Sequence, residues 1–344
     1  MAVVINGSGT VTGLAVGGLP DGIVDSGTLA TNSVDSAELI DGAVDDSHMA
    51  SISGRRNILI NGDMRVAQYA ANNTAINTYG PCDRWRTYGG GMGFTVSQQS
   101  SSDYESGYCL RFHRTASNSQ TNNTGMGQGI ETLNSRGLAG KTVTLSFKAK
   151  CGTNFSSTDT TLMSRINGGE GTNDNPFGMT NTNGGSQNNI LTTSVQTFSF
   201  SFAMPSDKTQ VTVLFDYTPT GTAGANDWFE IGDVQLELGS TATDFEHRHY
   251  GEELALCQRY YEYIDQVAWA GDVTNGYARV YPVPLKVVKR TTPTITTSSI
   301  GTSGTSSSLA TWYNNGRSLQ LYSNGTTNSP AGTINFNVAI DAEL

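Results

Sequence analysis

The residues best suited to recognition chemistry cluster late in the chain, at Trp312-Tyr-Asn-Asn-Gly-Arg317, with Tyr322 close behind. Flat aromatic faces pack against sugar C–H groups, and planar polar side chains fork onto hydroxyls. Trp312, Tyr313, Asn314, Arg317 and Tyr322 supply both kinds. The Asn-Gly step at 315–316 marks a turn, which puts the cluster near a loop tip, where binding residues concentrate. The competing role for Trp312 is core packing. Trp269 is a further aromatic candidate. Trp85 and Trp228 read as core, whereas Tyr88 and the glycine run 89–91 suit a concave face.

Catalytic signatures are missing from the same sequence. It has no G-x-S-x-G, H-E-x-x-H or phosphate loop. His247 and His249 flank Arg248, but no third histidine or cysteine accompanies them at metal-ligand spacing. The reading is therefore a binding protein and not an enzyme. Cys82, Cys109, Cys151 and Cys257 form no C-x-x-C pair and are expected as free, buried thiols.

These residues need a scaffold, and the pattern points to strands. Only 15% of the 344 residues are charged, and 40 are glycine. Alternation recurs at Cys109–His113, Val143–Ala149, Val195–Phe202, Val211–Tyr217 and Trp228–Leu238, which predicts antiparallel sheets with one buried face. Asn57–Asn61 reads as a short strand before a turn. The Gly/Asn-rich stretch between Asn167 and Asn189 reads as a long surface loop. Glu252–Ile264 has helical spacing, with Leu254, Cys257, Tyr261 and Ile264 on one face. Beyond it, Tyr277–Tyr281, Lys286–Val288, Thr294–Thr296, Leu319–Tyr322 and Ile334–Ile340 predict a small β-domain. The Ser/Thr/Gly tract 297–308 reads as loop.

The N-terminal region is different. Three decapeptides begin at Gly22, Asn32 and Gly42 and repeat valine, aspartate and a long apolar residue in register. A fixed period marks a unit that cannot bury its own apolar face. Val24, Leu29, Val34, Leu39, Val44 and Met49 are too few for a core in one chain, so the repeats predict a stalk of identical chains side by side. Residues 1–54 carry seven acids and no Lys or Arg, against a net charge of −10 for the whole chain. An acidic chain without a basic stripe is a poor nucleic-acid ligand. No run is long enough for a membrane-spanning helix, and the start lacks a basic signal region, so assembly in a cytoplasm is expected.

Taken in order, Met1–Thr10, Gly17–Asp21, the Val-Asp repeats, Arg56-Asn-Ile-Leu-Ile-Asn-Gly-Asp-Met-Arg-Val-Ala-Gln68, Glu252–Tyr261 and Asp341–Leu344 resemble the tail fibres of tailed phages. The middle, from Asn57–Asp63 through Trp85 to Phe229–Glu237, resembles jelly-roll carbohydrate-binding modules. The resemblance implies a mainly β homotrimer on the virion tail. Residues 1–20 would be an attachment tip, 21–54 the stalk, 55–247 a jelly-roll sandwich, 250–265 a linking helix and 266–344 a distal β-domain. Its partners would be a virion tail or adaptor protein, through residues 1–54, and host cell-surface polysaccharide. Neither nucleic acid nor membrane insertion is implied. A capsid or tail decoration protein and a polysaccharide-degrading tailspike are the alternatives. In the carbohydrate-binding family the first and last strands pair and often hold a structural calcium. Asp63 and Asp233 are the matching positions.

Overall fold

The computed structural model describes residues 56–69, 72–89, 93–305 and 308–344, and the backbone of a two-stranded ladder, Val4–Ile5 against Val11–Thr12. The stalk positions Val24, Leu29, Val34, Leu39, Val44 and Met49 lie outside the described residues.

Period-two alternation builds a β-sandwich from eleven strands. They are β1 (Asn72–Asn73), β2 (Arg86–Gly89), β3 (Phe94–Ser100), β4 (Tyr108–Arg114), β5 (Thr124–Ile130), β6 (Thr142–Cys151), β7 (Thr161–Gly169), β8 (Asn183–Ile190), β9 (Gln196–Ala203), β10 (Gln210–Tyr217) and β11 (Trp228–Leu238). One sheet has the order β8-β7-β10-β5-β2 and the other β9-β6-β11-β4-β3-β1; both are antiparallel. Their inner faces share one core that includes Trp85, Phe112, Phe147, Phe215 and Phe229. Phe147 meets Phe215 edge-on at 4.8 Å, which ties the two sheets together.

The sequence reading needs several corrections. Asn57–Asn61 is not a strand. It runs beside β11 through two bonds, Ile58 N to Leu236 O (2.8 Å) and Val234 N to Gly62 O (2.9 Å), while the Asn57 side chain also binds that strand. The segment expected as one loop between Asn167 and Asn189 contains β8. As an edge strand with mostly exposed residues, β8 has no apolar face for its sequence to display. Trp228 is half-buried, its ring covered by the Arg111 guanidinium at 4.3 Å from the centroid. Trp85 is core, and all four cysteines are free and buried, as expected.

A four-residue helix, α1 (Thr132–Ser135), follows β5, and α2 (Tyr250–Gln258) follows the sandwich. Glu252 and Glu253 lie in the first turn of α2, where the helix dipole favours them. The helix ends at Gln258, short of the expected 265, because Tyr261 already pairs with Asp341 in the next sheet. Tyr261 and Ile264 therefore belong to a strand.

Six further strands form two three-stranded sheets. They are β12 (Tyr261–Val273), β13 (Ala278–Val283), β14 (Thr294–Ser303), β15 (Ala310–Asn314), β16 (Leu319–Asn324) and β17 (Ser329–Asp341). The orders are β12-β17-β14 and β13-β16-β15. Tyr281, Leu319, Leu321, Ile334, Phe336, Val338 and Ile340 form a second core. Lys286–Val288 is not a strand, and most of the tract 297–308 is strand β14 and not loop.

The two β-modules are joined by ionic and aromatic contacts. Glu131 accepts from Arg259 at 2.8 Å and from the Tyr260 hydroxyl at 2.9 Å. Arg84 lies 3.6 Å from the Tyr260 ring centroid and pairs with Glu343. Lys289 and Glu262 form an ion pair with both side chains buried. Removing one partner of such a pair costs about 3–5 kcal/mol, because a buried charge is left uncompensated. Lys289 also donates to Gln258 O at 2.5 Å, which ties the distal module to the end of α2.

Candidate functional site

The outer face of the five-stranded sheet is shaped by the sequence Thr-Gly-Met-Gly-Gln-Gly-Ile of β5. Met126, Gln128 and Ile130 point inward, so Gly125, Gly127 and Gly129 fall on the outer face. A Cβ on Gly127 would stand 2.4 Å from Leu214 Cδ2 and 2.6 Å from Val213 O. Glycine there lets the neighbouring strand and its side chain close over the backbone.

Register places three rows across this face. The first is Asn188, Met163, Asp216, Gly125 and Tyr88; the second is Ser186, Arg165, Leu214, Gly127 and Arg86; the third is Gly184, Asn167, Thr212 and Gly129. The glycine column lies low between β2 and β10, and Leu214 of β10 leans over Gly127.

A cavity of about 220 Å³ opens here, lined by Tyr88, Asn123, Arg165, Asn167, Pro176, Phe177, Met179, Thr182, Leu214 and Asp216. Tyr88 and Phe177 stack at 4.8 Å and 19° to form an aromatic wall. Opposite them, Arg165 forms an ion pair with Asp216, Nε to Oδ2 at 2.8 Å, and donates a hydrogen bond to it from Nη2 at 3.0 Å. Asn123 Nδ2 donates to the same carboxylate at 3.0 Å. Aromatic faces beside a fixed fork of donors and acceptors can hold an uncharged, hydroxyl-rich ring. Arg86 borders the glycine column and donates to Asn175 Oδ1; burial pushes its pKa down.

The outer face of the six-stranded sheet carries charged pairs. Arg111, Glu230 and Lys150 stand side by side across β4, β11 and β6. Arg111 donates to Glu230 at 2.8 Å, and Lys150 bonds Asp103 at 2.6 Å. Tyr104 lies over Gly232.

The distal residues singled out by sequence are partly brought together. Trp312 and Tyr313 are exposed, at 59% and 49%, and sit on strand β15 and not in a turn. Trp312 meets Tyr322 edge-on at 5.5 Å. Asn314 is taken up by the Pro293 carbonyl at 2.7 Å, and Arg317 is exposed. Trp269 belongs to the other distal sheet, where it packs against Tyr281 and lines an open bay of about 480 Å³. No carboxylate lines either space except Asp216.

Asp63 and Asp233 already have cations. Asp63 pairs with Arg65, and Asp233 with Lys148 at 3.2 Å, leaving Asp233 Oδ1 buried without a partner. Calcium takes about six to eight oxygens. Among the described residues no group of three His, Cys, Asp or Glu could hold a metal.

Sequence reading found Tyr88 and missed the rest of the cavity. The available signal was glycine at every second position of 125–129, alternating with large residues.

No protein-family model matches the chain, and a comparison with curated proteins gives no match. Among solved structures, the enzymatically active domain of bacteriophage CBA120 tailspike protein 4 is similar over 53% of this chain and 21% of its own length, at 14% identity and TM-score 0.35. A family 11 carbohydrate-binding module from Clostridium thermocellum, in complex with a β-1,3-1,4-mixed-linked tetrasaccharide, matches over 52% of this chain and 99% of itself. Its identity is 15% and its TM-score 0.31. A cyclase from Fischerella sp. TAU matches over 55% and 100%, at 11% identity and TM-score 0.35. Similarity this low leaves the function of this chain to be argued from its own residues.

Proposed function

We propose that the cavity on the five-stranded sheet binds a glycan, and that the chain is a host-attachment fibre of a tailed phage. One observation carries the binding reading: the Tyr88–Phe177 wall and the Arg165–Asp216 pair line one cavity, with Leu214 between them. Small-ligand sites are concave, mostly apolar and fixed by a few convergent polar groups. In the fibre reading, residues 1–54 hold three copies together and dock on the virion tail, and host cell-surface polysaccharide is the ligand. Three weak sites on one rigid body then act together through high effective concentration. A glycan-degrading reading lacks its chemistry at this cavity. Glycoside hydrolysis uses two carboxylates, and Asp216 stands alone among the lining residues and is already paired.

The test is an array of bacterial capsular polysaccharides and O-polysaccharides probed with full-length protein and two variants. Tyr88→Ala is expected to cut binding at least about tenfold, and Trp312→Ala to leave it within about twofold. The reverse outcome moves the site to the distal sheet. No binding by the parent to any glycan overturns the reading. For the fibre, light scattering should give three times the chain mass of 36.5 kDa.

A further inference from the structure

We infer that this cavity reads the end of a glycan chain and excludes the middle of one. The inference rests on the glycan reading above and concerns only how the ligand enters.

A polysaccharide bound along its length needs a furrow open at both ends. The cavity is closed at the end beside Gly129. Pro176 Cγ lies 3.1 Å, and Leu344 Cδ1 3.4 Å, from where a Cβ of Gly129 would stand. The roof belongs to residues 170–182, which cross the glycine column. Phe177 rests on Tyr88, and Met179 Sδ accepts from Thr212 Oγ1 at 3.0 Å. The third row of the face therefore lies beneath this crossing. Phe177 also shuts the side toward β2.

The crossing is tied down at both ends. Glu170 N donates to Thr180 O at 2.9 Å, and Thr180 N to Asp174 Oδ2 at 3.0 Å. Asn173 and Thr132 exchange two bonds, at 2.9 and 2.8 Å, and Asp174 N donates to Gln210 Oε1 at 2.9 Å. Arg86 holds Asn175. The closing residue from the distal module is fixed equally well. Tyr79 Oη donates to Leu344 O at 3.0 Å, and Arg84 donates to Gly129 O at 2.7 Å. The end wall is thus built jointly by the sandwich and by residues that follow the distal sheet.

Size agrees with this geometry. The cavity of about 220 Å³ is smaller than the roughly 300 Å³ at which sites for drug-sized ligands begin. It suits one sugar ring with the rest of the chain leaving past Asn123 and Asp216.

The experiment uses full-length protein and a bacterial O-polysaccharide that it binds, intact and after sonication, with chain ends counted chemically. End recognition predicts that binding capacity per milligram of glycan rises in proportion to the ends created. Capacity unchanged by a tenfold gain in ends overturns the inference and leaves the glycan reading standing. Failure to bind any glycan of the array, capsular or O-polysaccharide, intact or broken, overturns both. A Pro176→Gly, Leu344→Gly double variant opens the closed end. Its preference for broken over intact chains should fall toward one; an unchanged preference also overturns the inference.

Discussion

Both faces of the sandwich carry glycine on an inner strand, and the chain treats the two in different ways. On the six-stranded sheet, Gly232 is covered by the chain's own Tyr104, whose ring would collide with a Cβ at 2.5 Å. Around it each charge finds a partner: Arg111 with Glu230, Lys150 with Asp103, and Lys148 with Asp233 and Glu105. On the five-stranded sheet, Gly127 is covered by the chain's own Leu214, and a cavity lined by Tyr88, Phe177, Arg165 and Asp216 stays open beside it. A missing Cβ lets a side chain close over the backbone on both faces. What decides is where the loop sets its aromatic ring: Tyr104 on the glycine, Phe177 beside it, against Tyr88.

The largest expected effect lies on the closed face. Tyr104→Ala removes a ring that is 2% exposed and leaves a void over Gly232. Large-to-small changes of this kind cost about 3–5 kcal/mol, readable in denaturant unfolding, with glycan affinity unchanged. Tyr104→Phe should be neutral or stabilising, because the buried hydroxyl has no hydrogen-bond partner. A Tyr104→Ala protein of parental stability would mean that the ring is not a filler, and the contrast between the faces would collapse.

A buried carboxylate without a cation gives the next effect. Asp83 accepts from the Gln68 amide N at 2.7 Å and from its side chain, and burial pushes its pKa up to about 6. The folded protein then holds the proton more tightly than the unfolded chain. Stability from this group is fully present below about pH 4 and is lost as pH rises through about 6, by up to roughly 3 kcal/mol. Asp83→Asn should flatten that slope in unfolding measured between pH 4 and 7. An unchanged slope would place the titration elsewhere.

Tyr88→Ala is the counterpart of Tyr104→Ala on the open face. Here the loss should fall on binding, by about 2 kcal/mol or some thirtyfold in Kd. Stability should drop by about 1 kcal/mol, the worth of the stack with Phe177. Equal losses of stability in the two variants, with no loss of binding, would make Tyr88 another filler.

Much of the closed architecture was legible in the sequence, and most of the open site was not. Val143–Ala149 and Val211–Tyr217 form strands in the two sheets as expected, although Val211–Tyr217 is buried on both sides. The decisive strand β5 carries three glycines, which weaken a strand signal, and it is absent from the alternating runs read as strands. Strand β8 is polar on both sides because it borders solvent at a sheet edge. Strand β14 is a Ser/Thr run in a thin module whose outer face is exposed, and its composition imitates a loop. Trp312 stands out in the sequence because it sits among Tyr313, Asn314 and Arg317 beside an Asn-Gly turn signal. Phe177 went unnoticed within a Gly/Asn-rich segment that tertiary contacts, not local pattern, carry across the sheet. Sequence pattern reports burial; a site made of missing side chains leaves little of that signal.

The smallest expected effect tests whether the charged face is silent. Glu105 bonds Lys148 at 2.6 Å and His247 at 3.1 Å, and these bonds hold its carboxyl below the usual range. Its side chain is 47% exposed, so water and salt screen the pair. A lowered pKa contributes stability above the unfolded value, and that contribution is lost as pH falls through the folded one. Glu105→Gln should therefore remove a shallow acid-side slope worth well under about 1 kcal/mol, less still at high salt. Glycan affinity should not move, because every charge lost belongs to the face that Tyr104 closes. A change in Kd of more than about threefold would place the six-stranded face in the binding site. The two faces would then differ in chemistry alone, not in role.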